Sequence, residues 1–197
     1  MRKLTLWMLG AVVALGCTLA VPQTADAAIR LGADAIWVPM SYKDVDFEER
    51  DAAADPSHNM NTFAGSAHAS MGIDLFSLGL KLNYFNNGIQ FEEGSERYAQ
   101  YDVNALARVG LPGTNLALFT EGGLTSNRSL DFGGFNVGAG AEYTAFSLPM
   151  MDINVGAMGQ YVNVSEVELE FGGDEEKDLA TVQEGRALIY VGADFGF

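Results

Sequence analysis

After residue 27 the chain consists mainly of short stretches in which apolar and polar residues alternate with a period of two. This period puts successive side chains on opposite faces of an extended strand, and it differs from the 3.6-residue stripe of an amphipathic helix. Each stretch is close to the roughly 9–11 residues that a tilted strand needs to cross a bilayer. The eight alternating segments are 29–37, 67–75, 78–84, 99–111, 116–122, 135–144, 153–161 and 186–197.

Alternation also occurs in soluble β-sandwiches, so the connections between the segments are needed to separate the two folds. Long and short connections take turns, as they do in an up-and-down membrane barrel with short turns at one end and longer loops at the other. The expected long connections are 43–62, 86–97, 125–134 and 163–183, and the short ones lie at Phe76–Ser77, Pro112–Thr114 and Ser147–Asp152.

Aromatic residues on the apolar phase are concentrated near the ends of the segments, where amphipathic rings would lie at the level of lipid headgroups. Together with the connections, they predict an all-β fold, an eight-stranded antiparallel up-and-down transmembrane barrel. The segment 116–122 has the weakest pattern, and the opposite phase is also open for it. The aromatic residues are Trp37, Tyr84, Tyr101, Tyr143, Tyr161, Phe195 and Phe197.

The last segment ends in Phe195-Gly196-Phe197, with both rings on the apolar phase. This ending resembles the C-terminal assembly signal of bacterial outer-membrane proteins. Residues 28–197 as a whole resemble the small eight-stranded outer-membrane barrels typified by OmpA and OmpX, although no motif selects one member family. The resemblance implies a monomer in contact with outer-membrane lipid and lipopolysaccharide. It also implies delivery by periplasmic chaperones and insertion by the barrel assembly machinery.

The first 27 residues have the organisation of a cleaved signal peptide. Arg2 and Lys3 precede the apolar run 4–20, and Ala25-Asp26-Ala27 provides a small-x-small cleavage site. A retained anchor helix is an alternative, but the run falls short of the roughly 20 residues that span a bilayer. A lipoprotein cut before Cys17 is another, although the preceding residues fit that signal poorly. The expected mature chain is 28–197, exported to the outer membrane of a Gram-negative cell.

The chain has 11 basic and 26 acidic residues, a formal net charge of −15. Loss of Arg2, Lys3 and Asp26 with the signal peptide would make the charge of the mature chain −16. Such a surface repels phosphate, so nucleic acid is excluded as a partner. Acidic residues such as Asp44, Asp46 and those of 166–178 are expected in solvated outer loops. These loops could contact surface ligands, or meet anionic lipid through divalent cations.

The polar phase of the segments is expected to face the lumen, which eight strands leave only wide enough for side chains. Since a lone buried charge is costly, acids and bases on this phase should pair with one another. We therefore expect a lumenal charge network and no open channel. Its predicted members are Arg30, Asp34, Asp74, Lys81, Asp102, Arg108, Glu121, Glu142, Arg186 and Asp194.

Candidate chemistry is sparse. His68 and Ser70 share one face of a strand, and lipid A deacylases carry a similar His-x-Ser pair, but the rest of that motif is absent here. No catalytic residue, metal ligand or cofactor is predicted. The expected function is non-enzymatic, in envelope structure or surface interaction through the acidic loops. A narrow pore or hydrophobic-ligand conduit and, less favoured, a lipid-modifying enzyme are the alternatives.

Overall fold

The computed structural model describes residues 27–47, 62–73, 75–91, 94–126, 132–170 and 177–197. Apart from Ala27, the predicted signal peptide lies outside these residues and stays a prediction. In chain order the strands are β1 (Ala27–Phe47), β2 (Thr62–Ile73), β3 (Phe76–Phe91), β4 (Gly94–Gly110), β5 (Leu116–Ser126), β6 (Gly134–Leu148), β7 (Met151–Glu170) and β8 (Lys177–Gly196).

The eight strands form one closed antiparallel barrel in which each pairs with its neighbours along the chain. Pairing of β1 with β8, from Arg30↔Gly196 to Phe47↔Ala180, closes the sheet. A closed ladder pairs backbone groups within the protein and leaves no sheet edge, which is the requirement for a β-structure in lipid. Among the described residues, no helix is long and apolar enough to cross a membrane. The predicted fold class is confirmed.

The apolar phase faces outward. Leu118 and Val191 are 51% and 53% exposed, whereas Asp194, on the opposite phase of β8, is 3% exposed and points into the barrel. The fifth strand follows the phase that was predicted for it, because Phe119 and Glu121 are 7% and 2% exposed. An exterior of large apolar side chains around a polar interior reverses the arrangement of a soluble protein and matches a barrel embedded in lipid.

Aromatic side chains lie toward both ends of the apolar exterior. At one end Tyr84 and Tyr101 are paired across β3 and β4 with ring centroids 5.2 Å apart, and Phe135 and Tyr161 lie 6.1 Å apart across β6 and β7. At the other end, which carries the chain termini and the short turns, exposed rings include that of Phe197. We call these the loop end and the turn end of the barrel.

The predicted connections were too long at the loop end. β1 continues to Phe47, β7 to Glu170, and β8 begins at Lys177, so much of 43–62 and 163–183 is strand. The predicted connection 86–97 is also mostly strand, because β3 reaches Phe91 and β4 begins at Gly94. Asp44 and Asp46, expected in a loop, therefore lie in β1, and Glu166, Glu168, Glu170 and Asp178 lie in β7 and β8.

The short connections and the last long one differ in smaller ways. β3 begins at Phe76, so the first turn precedes the predicted Phe76–Ser77. β5 extends to Ser126 and β6 begins at Gly134, which shortens the predicted connection 125–134 from both sides. Such shifts at element boundaries are expected when apolar alternation alone sets them.

The extra strand length was missed because the two faces exchange character near the loop end. Val45, Val164 and Val182 are 6%, 1% and 1% exposed and point inward. On the outside, the cross-strand row Asp44↔Gln183↔Asn163 replaces apolar residues with polar ones. The barrel wall above this row is thus built like a soluble β-structure. We place the edge of the hydrocarbon layer just below the row.

Arginine substitution along β8 tests this placement. Val191→Arg puts a charge on the lipid-facing surface between the two aromatic ends and should reduce the free energy of unfolding in lipid vesicles by about 2–4 kcal/mol. Gln183→Arg, on the same face above the proposed edge, should change it by less than about 1 kcal/mol. Equal losses in a denaturant titration would show that the edge is placed wrongly.

Candidate functional site: the barrel interior

The interior is arranged as successive layers between the turn end and the loop end. At the turn end, a cavity of about 300 Å³ is open to the outside. The Arg30 guanidinium lies 3.8 Å from the Asp152 carboxylate on its wall, and both side chains are partly exposed. This mouth is the hydrated part of the lumen, so its ion pair is only weakly stabilising.

Arg108 forms the next layer. Its guanidinium lies 3.3 Å from Asp194 Oδ2 and is also paired with Glu142. The Asn154 amide donates to the same Asp194 oxygen at 3.1 Å, and the Tyr190 hydroxyl donates to Glu142 at 2.8 Å. Each carboxylate therefore has both a charged and a neutral donor, as a buried carboxylate requires.

His68 joins this layer to the middle of the barrel. Its Nε2 lies 2.8 Å from Asp194 Oδ1, and its Nδ1 lies 3.7 Å from Asp34 Oδ2. The Ser66 hydroxyl donates to Asp34 at 2.5 Å. The imidazole thus lies between two carboxylates, one on β1 and one on β8, the two strands whose pairing closes the barrel.

Lys81 is the central cation. Its ammonium lies 3.2 Å from Asp34 and 3.4 Å from Glu121, and it is 4% exposed. Glu121 Oε1 accepts hydrogen bonds from three side-chain amides, at 3.0 to 3.3 Å. Five strands contribute to this one arrangement, so it connects opposite walls of the barrel. The three amides belong to Asn83, Asn104 and Gln160.

Arg186 holds the next ionic layer toward the loop end. Its guanidinium lies 3.3 Å from Asp102, donates to Gln160 at 2.7 Å and stacks 3.6 Å from the centre of the Phe85 ring. Asp102 also accepts from Gln100 at 2.8 Å. A planar guanidinium can bind a carboxylate through its edge while its face covers an aromatic ring.

Apolar layers separate and cover the ionic ones. One cluster lies amid the charged groups, and a second fills the loop end. In the described part of the chain, the interior contains an enclosed cavity of about 20 Å³ lined by His68, Ser70 and Lys81 among others, with room for about one water molecule. The first cluster is Ile36, Val38, Phe85, Phe119, Met158, Leu188 and Tyr190; the second is Val45, Tyr98, Val162, Val164, Val167, Ala180 and Val182.

The structure places the predicted lumenal residues as follows. Arg30 lies at the turn-end mouth and pairs with a residue that was not predicted, Asp152. Asp74 lies outside the described residues. The other eight line the interior and are joined by the ion pairs and hydrogen bonds described above, directly or through His68 and Gln160; they are Asp34, Lys81, Asp102, Arg108, Glu121, Glu142, Arg186 and Asp194.

Sequence reasoning missed two groups of interior residues. Lys43 and Glu184 lie 3.7 Å apart in the structure. Lys43 was assigned to the connection 43–62, and Glu184 was placed in no predicted strand. The neutral amides were not predicted to act as partners, although Asn83, Asn104 and Gln160 alternate with the apolar residues of their segments. Amides on a polar phase beside charged residues are the signal that would have found them.

His68 and Ser70 both face the interior. Ser70 is 9% exposed and borders the enclosed cavity, while His68 lies between two carboxylates and away from lipid. Among the described residues, no group of three or more His, Cys, Asp or Glu side chains has an arrangement that could hold a metal ion.

No family model matches this chain, and no curated protein matches it. Several solved structures are similar to this chain. The outer membrane protein OprG from Pseudomonas aeruginosa is similar with a TM-score of 0.55 and 11% identity, over 88% of this chain and 96% of that one. Neisserial surface protein A (NspA) has a TM-score of 0.49 and 15% identity, over 86% and 99%. The N-terminal barrel of Pseudomonas aeruginosa OprF has a TM-score of 0.37 and 15% identity, over 86% and 97%.

The likeness to OprG is one of fold, and it agrees with the barrel geometry. This chain has the fold of an eight-stranded antiparallel transmembrane β-barrel. Identity of 11% supports nothing finer.

Removal of one partner from an ionic layer should strongly destabilise the barrel. Glu121→Gln replaces a carboxylate that faces Lys81 and three amide donors, so it leaves a buried ammonium with one anionic partner. We expect a loss of about 3–5 kcal/mol in unfolding free energy in lipid vesicles. The control Asp46→Asn removes an exposed carboxylate and should stay within about 0.5 kcal/mol. A loss for Glu121→Gln as small as that for the control would show that the ionic network contributes little to the free energy of unfolding.

Proposed function

We propose that the protein is a non-enzymatic barrel of the Gram-negative outer membrane that acts through the surface it presents beyond the membrane, in envelope structure or in contact with other molecules. The observation that supports this is the filled interior. Among the described residues, ionic and apolar layers occupy the lumen between the two ends, and the internal cavity lined by His68 and Lys81 measures about 20 Å³. A barrel filled in this way can contact other molecules mainly through its two ends and its outer surface.

The proposed orientation puts the turn end in the periplasm and the loop end outside the cell. Cleavage of residues 1–27 after export would leave the N-terminus near the C-terminus at the turn end, where Ile29 and Phe197 exchange backbone hydrogen bonds. Phe195 and Phe197 would present the assembly signal to the insertion machinery from that side. The expected mature protein is monomeric and has lipopolysaccharide as its immediate neighbour.

The outer contact surface is proposed to be the acidic wall and loops above the membrane edge. Asp44 and Asp46 face outward on β1, above the aromatic residues. The whole chain carries a formal charge of −15, so the attraction should be for cationic groups, or for anionic lipid through divalent cations. Electrostatic attraction of this kind weakens with added salt.

A narrow pore is the second candidate, favoured by one observation. The open cavity of about 300 Å³ at the turn end reaches Arg108, which also borders the enclosed cavity further in. Rearrangement of the Arg108 pairs could join the two. The apolar cluster around Phe119 and Leu188 would still have to move before ions could cross.

A lipid-modifying enzyme is the weakest candidate. A serine nucleophile needs a base within hydrogen-bond reach and access to its substrate. Both ring nitrogens of His68 face carboxylates, Nε2 at 2.8 Å from Asp194 and Nδ1 at 3.7 Å from Asp34. Ser70 faces an internal cavity with room for about one water molecule, which would not admit a lipid substrate.

Single-channel recording tests the filled lumen. The refolded mature chain in a planar bilayer should give no conductance steps above baseline. A known porin added to the same bilayer afterwards verifies that channels are detected. Reproducible steps from this chain would make the pore the leading function.

Lipid analysis tests the enzyme. Cells that produce the wild-type protein and cells that produce Ser70→Ala should contain the same lipid A species by mass spectrometry. A species that depends on Ser70 would contradict a non-enzymatic role.

A further inference from the structure

The pairing of β1 with β8 joins the first strand to the last and closes the barrel. We call this pairing the seam. In an open sheet with the same strand order, β1 and β8 would be the two outer edges, so contacts across the seam form only when the sheet closes. The residues that meet there therefore set the register in which the barrel closes.

The apolar pattern by itself leaves the register of the seam open. A slip of one residue would turn the apolar phase of a strand toward the lumen, which is costly. A slip of two residues keeps each apolar side chain toward lipid and each polar one in the lumen, because the side-chain period of a strand is two. Inward-facing side chains must therefore distinguish the native register from those that differ by two residues.

Two neighbouring rows of the seam pair an aspartate with a glycine, in opposite directions. Asp194 of β8 lies opposite Gly32 of β1, and Asp34 of β1 lies opposite Gly192 of β8. Both carboxylates are buried, with Asp194 3% and Asp34 8% exposed. Each buried aspartate thus faces a residue without a side chain on the other strand.

The glycines leave the space that the carboxylates occupy. A Cβ atom added at Gly32 would overlap the Asp194 carboxylate and the His68 ring. One added at Gly192 would overlap the Asp34 carboxylate. His68 of β2 is the partner of Gly32 on its other side, and its Nε2 lies 2.8 Å from Asp194. The contact between β2 and β8 therefore passes over β1 at a residue that has no side chain.

The second oxygen of each carboxylate connects the seam to the rest of the interior. Asp34 Oδ2 lies 3.2 Å from the Lys81 ammonium of β3. Asp194 Oδ2 lies 3.3 Å from the Arg108 guanidinium of β4 and accepts a hydrogen bond from the Asn154 amide of β7 at 3.1 Å. The native register thus gives each aspartate both a glycine beside it and a cation within reach.

Registers that differ by two residues lose this arrangement. In one direction Asp34 would lie opposite Asp194, and like charges directly opposite each other are destabilising. In the other direction Asp34 would lie opposite the larger Tyr190, and the two glycines would lie opposite each other. Neither slip leaves a glycine opposite Asp34.

We propose that the two Asp–Gly rows, Asp34 with Gly192 and Asp194 with Gly32, form a latch that sets the register in which β1 and β8 close the barrel. Closure in the native register places both carboxylates against glycines and brings Asp194 to His68 across β1. The latch concerns how the barrel closes, and it does not depend on what the outer surface contacts.

Disulfide cross-linking across the seam measures the register. Ala35 and Val191 are exposed and lie opposite each other, so cysteines at these two positions report the native register. A cysteine at Ala35 combined with one at Ala193 or at Ile189 reports the two slipped registers, because such diagonal pairs are too far apart to bridge readily in the native barrel. The mature chain is expected to have no cysteine of its own. Each variant is folded into lipid vesicles and treated with a membrane-permeant oxidant.

With the latch intact, the native pair should form its disulfide and the slipped pairs should stay reduced. Gly192→Ala and Gly32→Ala should each raise the ratio of slipped to native cross-link by about tenfold, the change that follows when about 1.4 kcal/mol of preference is lost. Gly185→Ala is the matched control and should leave the ratio unchanged. This glycine of β8 lies in the same seam, but a Cβ added to it would meet nothing within 4 Å.

A double variant shows whether the effect acts through the carboxylate. Asp34→Ala removes the side chain that needs the space at Gly192, so adding Gly192→Ala to it should change the ratio no further. The same double variant carries the test if Gly192→Ala alone prevents closure, because closure should then be restored.

Native cross-linking alone in both glycine variants would overturn the latch. A defect of Gly192→Ala that Asp34→Ala does not relieve would overturn it as well, and so would a change of equal size in Gly185→Ala.

Discussion

The structure depends on the pairing of charges inside a barrel too narrow to hold much water. Hydrocarbon offers no hydrogen-bond partners, so the backbone must close on itself, and closure with eight strands leaves a lumen that side chains must fill. Charged residues on the inner face then depend on one another and on neutral polar side chains. Lys81 illustrates the result, because it is buried and lies within 3.4 Å of carboxylates from two different strands. The ionic layers both permit this interior and connect its walls.

A filled lumen has consequences for function. The side chains that could carry chemistry, His68 and Ser70, are part of the filling and are remote from lipid. The loop end is built differently from the rest of the barrel. There the wall has an apolar inner face with Val164 and Val182 and a polar outer face with Asp44 and Gln183. The protein thus combines a membrane-embedded section with a short section built on the rules of a soluble protein.

Much of this could be predicted from sequence. Period-two alternation gave the eight strands and their inward and outward residues, because burial on one face of a strand is directly readable from such a pattern. The pattern does not show where along a strand the apolar residues change from the outer face to the inner face. Around Val45 and Val182 apolar and polar residues still alternate, but here the apolar residues point inward and the polar residues, many of them acidic, point outward. These stretches were therefore predicted to be acidic loops. Partners across the lumen, such as Glu121 with Gln160, were also out of reach, since strand tilt and stagger set them.

Water access along β1 is the most direct test of the account, because this strand passes through every environment described. Single cysteines at Ala35, Ile36 and Asp44 would be treated with a small charged thiol reagent on the barrel in lipid vesicles. The account predicts rapid labelling at Asp44→Cys alone, because Ala35 faces lipid and Ile36 is 3% exposed within the filled lumen. Labelling of Ile36→Cys as fast as that of Asp44→Cys would show a water-filled lumen and contradict it.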